Sequence, residues 1–416
     1  METLLPPTRK ALDDYESLKS QGLTLDLTRG KPSAAQLDLS SDLLSLPGSS
    51  DFHAGNVDCR NYGGLLGLDE ARALFSPMMG APADQVIVSD NSSLALMHDT
   101  IAFALLKGVV GSGVPWSKEE EVVFLCPTPG YDRHFTICEE LGIKMVSVGI
   151  SADGPDMNEV ESLVASDPRI KGMWCMPKYS NPTGSIYSDE TVERLASMKT
   201  AAPDFRLWWD NAYGVHHLTD ERVEISNILE RCTHHGNPNR TFVFASTSKI
   251  TLPGAGLAMF ASSKNNVSWL NARFTARTIG PDKLNQLRHV RLLKDHSGIV
   301  ALMERHRDLI APKFQAVLGS FERELSAIDG VEWTEPKGGY FITLQVPAGC
   351  AKRVVSLAKE AGIALTPAGS THPYKQDAED RTIRIAPTFP ELEKVSRAAD
   401  GLCVCVRLAV EASRSG

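Results

Sequence analysis

Five short apolar runs in this 416-residue chain are each followed by residues able to do chemistry. The tails are Asp90-Asn91-Ser92-Ser93, Pro127-Thr128-Pro129-Gly130-Tyr131, the eight residues PKYSNPTG at 177–184, Asp210-Asn211-Ala212-Tyr213 and Ser246-Thr247-Ser248-Lys249. One such tail is ordinary; five suggest a single shared polar site. Lys249 lies between an apolar run and ITLPGAGLAMF, which directs its amine at a pocket. A desolvated amine has a lowered pKa and can attack a carbonyl to form a Schiff base. Asp210 directly follows Leu207-Trp208-Trp209, and a carboxylate there needs a cation or hydrogen-bond donors. A protonated pyridine nitrogen would serve. Asn91, Ser92 and Ser93 open the stretch SLALMHDTIAFALL, so free N–H groups and hydroxyls would converge on one spot, an anion or phosphate cradle. A plain helix cap is the simpler reading of those three residues alone.

The elements that must position these tails are legible as a pattern. Apolar runs at 86–88, 122–125, 144–148, 172–176, 206–209, 241–245 and 257–261 read as strands, with amphipathic stretches such as 93–106 and 189–198 between them. Strands alternating with helices predict an α/β fold, a three-layer large domain around a mostly parallel sheet. In such sheets ligands bind beyond the carboxyl ends of the strands, where the five tails fall. The end of the chain differs. A long helix is expected over 302–328, then strands in VEWTE, YFITLQV and TIRIAP, with helices over 351–361 and 391–410. This α+β layout predicts a smaller domain. The boundaries expected are a large domain at 46–300 and a small one from 1–45 plus 301–416.

Composition narrows the class. Hydrophobic residues are 42% and charged residues 23%, and 43 Lys plus Arg against 51 Asp plus Glu give a net charge of −8. That balance fits a soluble globular protein, with no nucleic-acid partner expected. No apolar run reaches the roughly 18–20 residues that span a bilayer, so no membrane association is expected. The polar, acid-bearing N-terminus reads as neither signal nor transit peptide. Eight scattered cysteines without a C-x-x-C pair point to packing in a reducing compartment, the cytoplasm. His216-His217 and His234-His235 lack accompanying ligands at metal-site spacing, so no metal is expected. Gly63-Gly64, Gly67 and Gly254-x-Gly256 do not make a dinucleotide-binding glycine pattern.

With these residues in view, the chain resembles the fold-type I, pyridoxal-phosphate-dependent aminotransferases, and its wording is most similar to a divergent bacterial branch of aspartate aminotransferases. Pro-x-x-x-Asn-Pro-Thr-Gly, Asp-x-Ala-Tyr and Ser-x-Ser-Lys, in this order and spacing, carry the resemblance over nearly the whole chain. It implies that Lys249 holds pyridoxal 5′-phosphate as a Schiff base and shuttles a proton. It implies that Asp210 pairs with the ring nitrogen, that Tyr213 and Asn181 meet the phenolate oxygen, and that Tyr131 stacks on the ring. Ser92, Ser93 and Ser246 resemble phosphate ligands. Tyr62, in RNYGGLLGL, resembles the tyrosine that reaches a neighbouring subunit's phosphate, which implies a homodimer with shared sites. Arg384, in TIRIAP, is similar to the arginine that grips the substrate α-carboxylate, Gly30 in TRGKP to a glycine near it, and PKGGYF at 336–341 to a small-domain turn.

The implied activity is ping-pong transamination between an amino acid, L-aspartate foremost, and 2-oxoglutarate. A β-lyase on the same cofactor, or transamination of another amino acid, is the alternative. A non-catalytic ligand sensor would need a basic DNA-binding segment that the first 45 residues do not show. One position departs from the pattern. Most relatives carry an arginine eight residues after the lysine, at the phosphate; here that residue is Leu257. A dicarboxylate also needs a second cation, and Arg29, Lys31, Arg60, Lys178 and Arg277 all fall near site motifs.

Overall fold

The computed structural model describes residues 6–414, with side chains from Arg9 onward. Its centre is an eight-stranded sheet of β1 (Val86–Val88), β2 (Val123–Thr128), β3 (Lys144–Ser151), β4 (Gly154–Pro155), β5 (Ile170–Cys175), β6 (Arg206–Asp210), β7 (Thr241–Ser246) and β8 (Ala258–Ala261). The spatial order is β1-β8-β7-β6-β5-β2-β3-β4. Neighbours from β7 to β3 run parallel; β8 is antiparallel to both β7 and β1, and β4 is antiparallel to β3. The expected α/β architecture is therefore present, as a mixed, mostly parallel sheet.

The sheet is covered on both faces, which is why its strands read as unbroken apolar runs. Along the chain lie α1 (Pro6–Ser20), α2 (Ala34–Asp38), α3 (Asp69–Met79), α4 (Ser93–Lys107), α5 (Asp132–Glu140) and α6 (Asp189–Ser197). Later come α7 (His296–Leu325), α8 (Ala351–Glu360) and α9 (Leu392–Arg414). Alternate strand residues point to opposite faces. Leu207, Trp209 and Val243 thus pack with Phe75 of α3 and Leu195 of α6. Trp208, Phe242 and Phe244 pack with Ile101 of α4 and Phe135 of α5.

This layering sets the site. From β2 the chain moves outward to β3, whereas β5, β6 and β7 step the other way. The helices after β2 and β5, α5 and α6, consequently lie on opposite faces. In sheets of this kind the ligand crevice falls where the strand order reverses, here at the carboxyl ends of β2 and β5. Tyr131 and the 177–184 segment flank it.

A third apolar cluster joins Ala11, Tyr15 and Leu18 of α1 to Ile310–Leu325 of α7, to Leu357 of α8 and to Val406 of α9. It also takes in β10 (Ile342–Gln345), which lies between β9 (Glu332–Trp333) and β11 (Thr382–Ile385) in an antiparallel sheet. Leu25–Asp26 pairs in parallel with Ile363–Ala364, tying the early chain to this unit. Helix α7 starts earlier than its apolar spacing predicts, because the Asp295 side chain accepts from Gly298 N–H and caps a turn of polar residues. His216 and His217 follow the turn after β6, and His217 forms an isolated bridge with Gly338. Among the described residues no helix is long and apolar enough to cross a membrane.

Candidate active site

Asp210 ends β6 and is 2% exposed. Its Oδ2 lies 3.0 Å from Nε2 of His134. Its Oδ1 is buried with no hydrogen-bond partner. His134 in turn stacks on Trp174, centroids 4.1 Å apart and planes at 5°. Tyr131 meets the His134 ring edge-on at 4.9 Å. One side of the Asp210 carboxylate is thus fixed, and the other lacks the donor that a buried anionic oxygen requires.

Lys249 follows β7 and is partly buried. Its Nζ sits 5.1 Å from the centroid of Tyr213. Burial lowers the amine's pKa, and the Asp210 carboxylate opposes that shift. Tyr213 packs against Tyr340 and Phe341 at 5.6 and 6.2 Å. Burial pushes its phenol well up, with Tyr131, Tyr340 and Asp210 adding to the effect.

Two buried histidines stand behind the lysine. His216 Nε2 lies 3.3 Å from the Lys249 carbonyl, and His306 Nε2 lies 3.0 Å from the Ile250 carbonyl. Each ring donates to its carbonyl, which leaves His306 Nδ1 to accept from Gln36 Nε2 at 3.0 Å. The same Gln36 amide donates to Tyr340 Oη at 2.9 Å. Burial pushes the His216 imidazole well down, with Lys249 and His306 adding to the effect.

Arg384, on β11, is 8% exposed. Its Nη1 pairs with Asp132 Oδ1 at 2.9 Å and donates to Asn181 Oδ1 at 3.4 Å. Its Nη2 donates to Thr366 Oγ1 at 3.3 Å, and its guanidinium lies 5.1 Å from the Phe341 centroid. Nε–H is buried without an acceptor. Gly30 belongs here through Phe341: a Cβ on Gly30 would stand 2.4 Å from the ring's Cζ.

The hydroxyls converge at the N-terminus of α4. Ser92 caps the helix by accepting from Ala95 N–H at 3.2 Å, and Ser93 is its first residue. Ser246 Oγ donates to Ser248 Oγ at 3.1 Å, and Ser248 Oγ reaches the Asn91 carbonyl at 3.5 Å. Leu257 is buried in the apolar core, its N–H donating to Thr247 Oγ1 at 2.8 Å, so no cation takes that route.

The structure therefore links Lys249, Asp210, Tyr213, Tyr131, Asn181 and Arg384 through one network of contacts, with Ser246 reaching through Ser248 toward the N-terminus of α4 that Ser92 and Ser93 form. Tyr62 is 79% exposed. Its loop is clamped by Lys283 Nζ, which donates to the Asn61 and Gly63 carbonyls at 2.6 and 2.7 Å. Of the cations near site motifs, Arg60 is held by Asp58, and Arg277 by Asp90 and Asp99. Lys178 is 9% exposed and borders a separate cavity of about 270 Å³ with Asn211 and His217. Burial lowers its pKa to about 8, against the pull of Glu224. No sequence motif marks His134, His306, Gln36, Asp132 or Thr366, and His216 is weighed from sequence only as a metal ligand. Two of these sit three residues after a motif tyrosine, His134 after Tyr131 and His216 after Tyr213, a helical-turn spacing that brings them beside it.

Comparison with known proteins identifies the family. The family model described as aspartate amino-transferase matches residues 3–416. An aspartate aminotransferase of Corynebacterium glutamicum is 50% identical over 396 residues, covering 95% of this chain and 91% of the relative. The crystal structure of an aspartate transaminase from the same organism superposes with a TM-score of 0.96 at 48% identity, covering 98% and 96% of the two chains. An α-aminoadipate aminotransferase from Thermus thermophilus, at 21% identity and a TM-score of 0.75 over 95% and 96% of the chains, shares the fold.

Proposed function

This chain belongs to the aspartate amino-transferase family and is an aminotransferase, and from that premise we propose that it transfers the amino group of L-aspartate to 2-oxoglutarate. The observation that carries the site assignment is the buried Asp210 oxygen without a donor, in the same crevice as a desolvated lysine. Those two groups fit pyridoxal phosphate. Asp210 would accept from its ring N–H, and Lys249 would supply the amine for its aldehyde carbon. Tyr213 and Asn181 suit its phenolic oxygen, and Tyr131 its face. Ser92, Ser93, Ser246 and the N-terminus of α4 suit its phosphate, where amide dipoles and hydroxyls stand in for the cation absent at Leu257. When bound, the cofactor supplies an electron sink for negative charge at the substrate Cα.

The chain's own residues do the rest. Arg384 and Asn181 bind the α-carboxylate and fix the Cα–H bond, a task suited to a planar guanidinium. Burial keeps a larger share of Lys249 neutral, so its amine can take the Cα proton and return it one atom along. His134 holds the Oδ2 of Asp210, and His216 and His306 hold the backbone that carries the lysine. A large and a small domain at 46–300 and at 1–45 plus 301–416 would let Arg384 close over substrate. The reading includes a homodimer in which Tyr62 meets the partner's phosphate, in keeping with its exposed side chain on a clamped loop. It also includes a cytoplasmic location, which suits eight unpaired, buried cysteines.

The test is product analysis with purified protein, pyridoxal phosphate, L-aspartate and 2-oxoglutarate. Glutamate and oxaloacetate should appear together, with parallel-line ping-pong kinetics, and Lys249→Ala should lose both. No glutamate from this mixture, with pyruvate, ammonia and sulfide formed instead from L-cysteine and water without any oxo acid, would mark β-elimination and overturn the reading.

A further inference from the structure

Asp132 meets Arg384 as a carboxylate would. Its Oδ1 lies 2.9 Å from Nη1, making it the charged partner of a guanidinium whose other contacts, Asn181 Oδ1, Thr366 Oγ1 and the Phe341 ring, are all neutral. The two partners differ in freedom. The Arg384 side chain is 8% exposed and enclosed, whereas that of Asp132 is 32% exposed. Asp132 also opens α5, where the helix dipole stabilises a carboxylate after it has turned toward water. The same helical turn carries Tyr131 and His134, so the Asp132 backbone is held beside both rings. Its field reaches Tyr131: burial raises that phenol, and the Asp210 and Asp132 carboxylates raise it further.

We propose that Asp132 is a resident carboxylate that neutralises Arg384 until the substrate's α-carboxylate displaces it. The proposal rests on Arg384 being the carboxylate-binding arginine. An arriving carboxylate meets a pair of zero net charge and must exchange with Asp132, which turns into solvent while Arg384 stays anchored by its three neutral contacts. A ligand without a carboxylate gains nothing from opening the pair. Asp132 thereby makes the site selective for carboxylates at a cost in affinity, a use of a competing internal group for specificity.

The experiment uses the pyridoxal-phosphate-loaded protein and succinate, a dicarboxylate with no amine to react, with binding read by calorimetry. Asp132→Asn keeps the shape and removes the charge. It should bind succinate about two- to fivefold more tightly, the scale of one partly screened ion pair, and KM for aspartate should fall with it. Asp132→Ser should do the same, which separates charge from any new amide contact. Unchanged or weaker succinate binding in both variants, while Arg384→Gln loses it, would overturn the proposal and leave Arg384 as the binding residue. Succinate binding that survives Arg384→Gln would overturn the assignment of Arg384 and the proposal with it.

Discussion

Gly30→Ala tests how tightly the carboxylate side of the site is built. The added Cβ would lie 2.4 Å from Phe341 Cζ and 2.8 Å from Cε1. Ordinary carbon contacts are about 3.5–4.0 Å, so the ring must retreat by about 1 Å. Phe341 has little room, since it packs on Tyr213 at 6.2 Å and beneath the Arg384 guanidinium at 5.1 Å. Overpacking of this kind costs about 1–3 kcal/mol in stability. A misplacement of about 1 Å in a substrate-positioning group costs up to about 10²-fold in rate. The assay is steady-state kinetics with aspartate and 2-oxoglutarate, alongside urea unfolding. We expect kcat/KM to fall about 10- to 100-fold with a rise in KM for aspartate, and the urea midpoint to drop. Gly319→Ala is the control: it lies in α7 with nothing within 4 Å of its new Cβ, and should leave kcat/KM unchanged while stabilising the helix by up to about 1 kcal/mol. Wild-type kcat/KM and midpoint in Gly30→Ala would refute the claim that Phe341 seats Arg384.

Two further outcomes follow from buried groups. His134→Phe should leave both Asp210 oxygens without a donor, costing about 1–3 kcal/mol and weakening pyridoxal phosphate retention on dialysis; retention equal to wild type would contradict the role given to His134. His217, His289 and His306 are each pushed down by burial to about 4. Between about 6.5 and 4 the unfolded chain takes up protons that these imidazoles refuse in the fold, so stability must fall as pH drops through that window. Urea midpoints at pH 7, 6 and 5 should decline in order, and equal midpoints would contradict the buried, neutral assignment.

Much of the site was legible because sheet chemistry is local in sequence. Asp210, Lys249 and Asn181 each follow an apolar run, and a parallel sheet delivers such tails to one edge. The β-strands themselves announced their presence through burial on both faces. What escaped notice depends on contacts distant in sequence. Gln36 reaches His306 across 270 positions, and Asp132 meets Arg384 across 252. Neither pairing leaves a spacing signal. The start of α7 was missed because its first turn is polar and set by the Asp295 cap rather than by an apolar stripe. Pairings of two residues, such as Leu25–Asp26 with Ile363–Ala364, are too short to show a period. The resemblance puts Gly30 beside the substrate carboxylate; what the structure adds is that Gly30 faces Phe341, a ring 311 residues away in the chain that leaves no room for a Cβ.

The central claim is that Lys249 and Asp210 hold pyridoxal phosphate for reversible amino transfer. Its most direct test is the absorbance spectrum of the cofactor-loaded protein, with L-aspartate and then 2-oxoglutarate added in turn. The account predicts a near-visible band that aspartate abolishes and 2-oxoglutarate restores, and that is missing from Lys249→Ala. A band that aspartate leaves unchanged, or one that persists in Lys249→Ala, would contradict it.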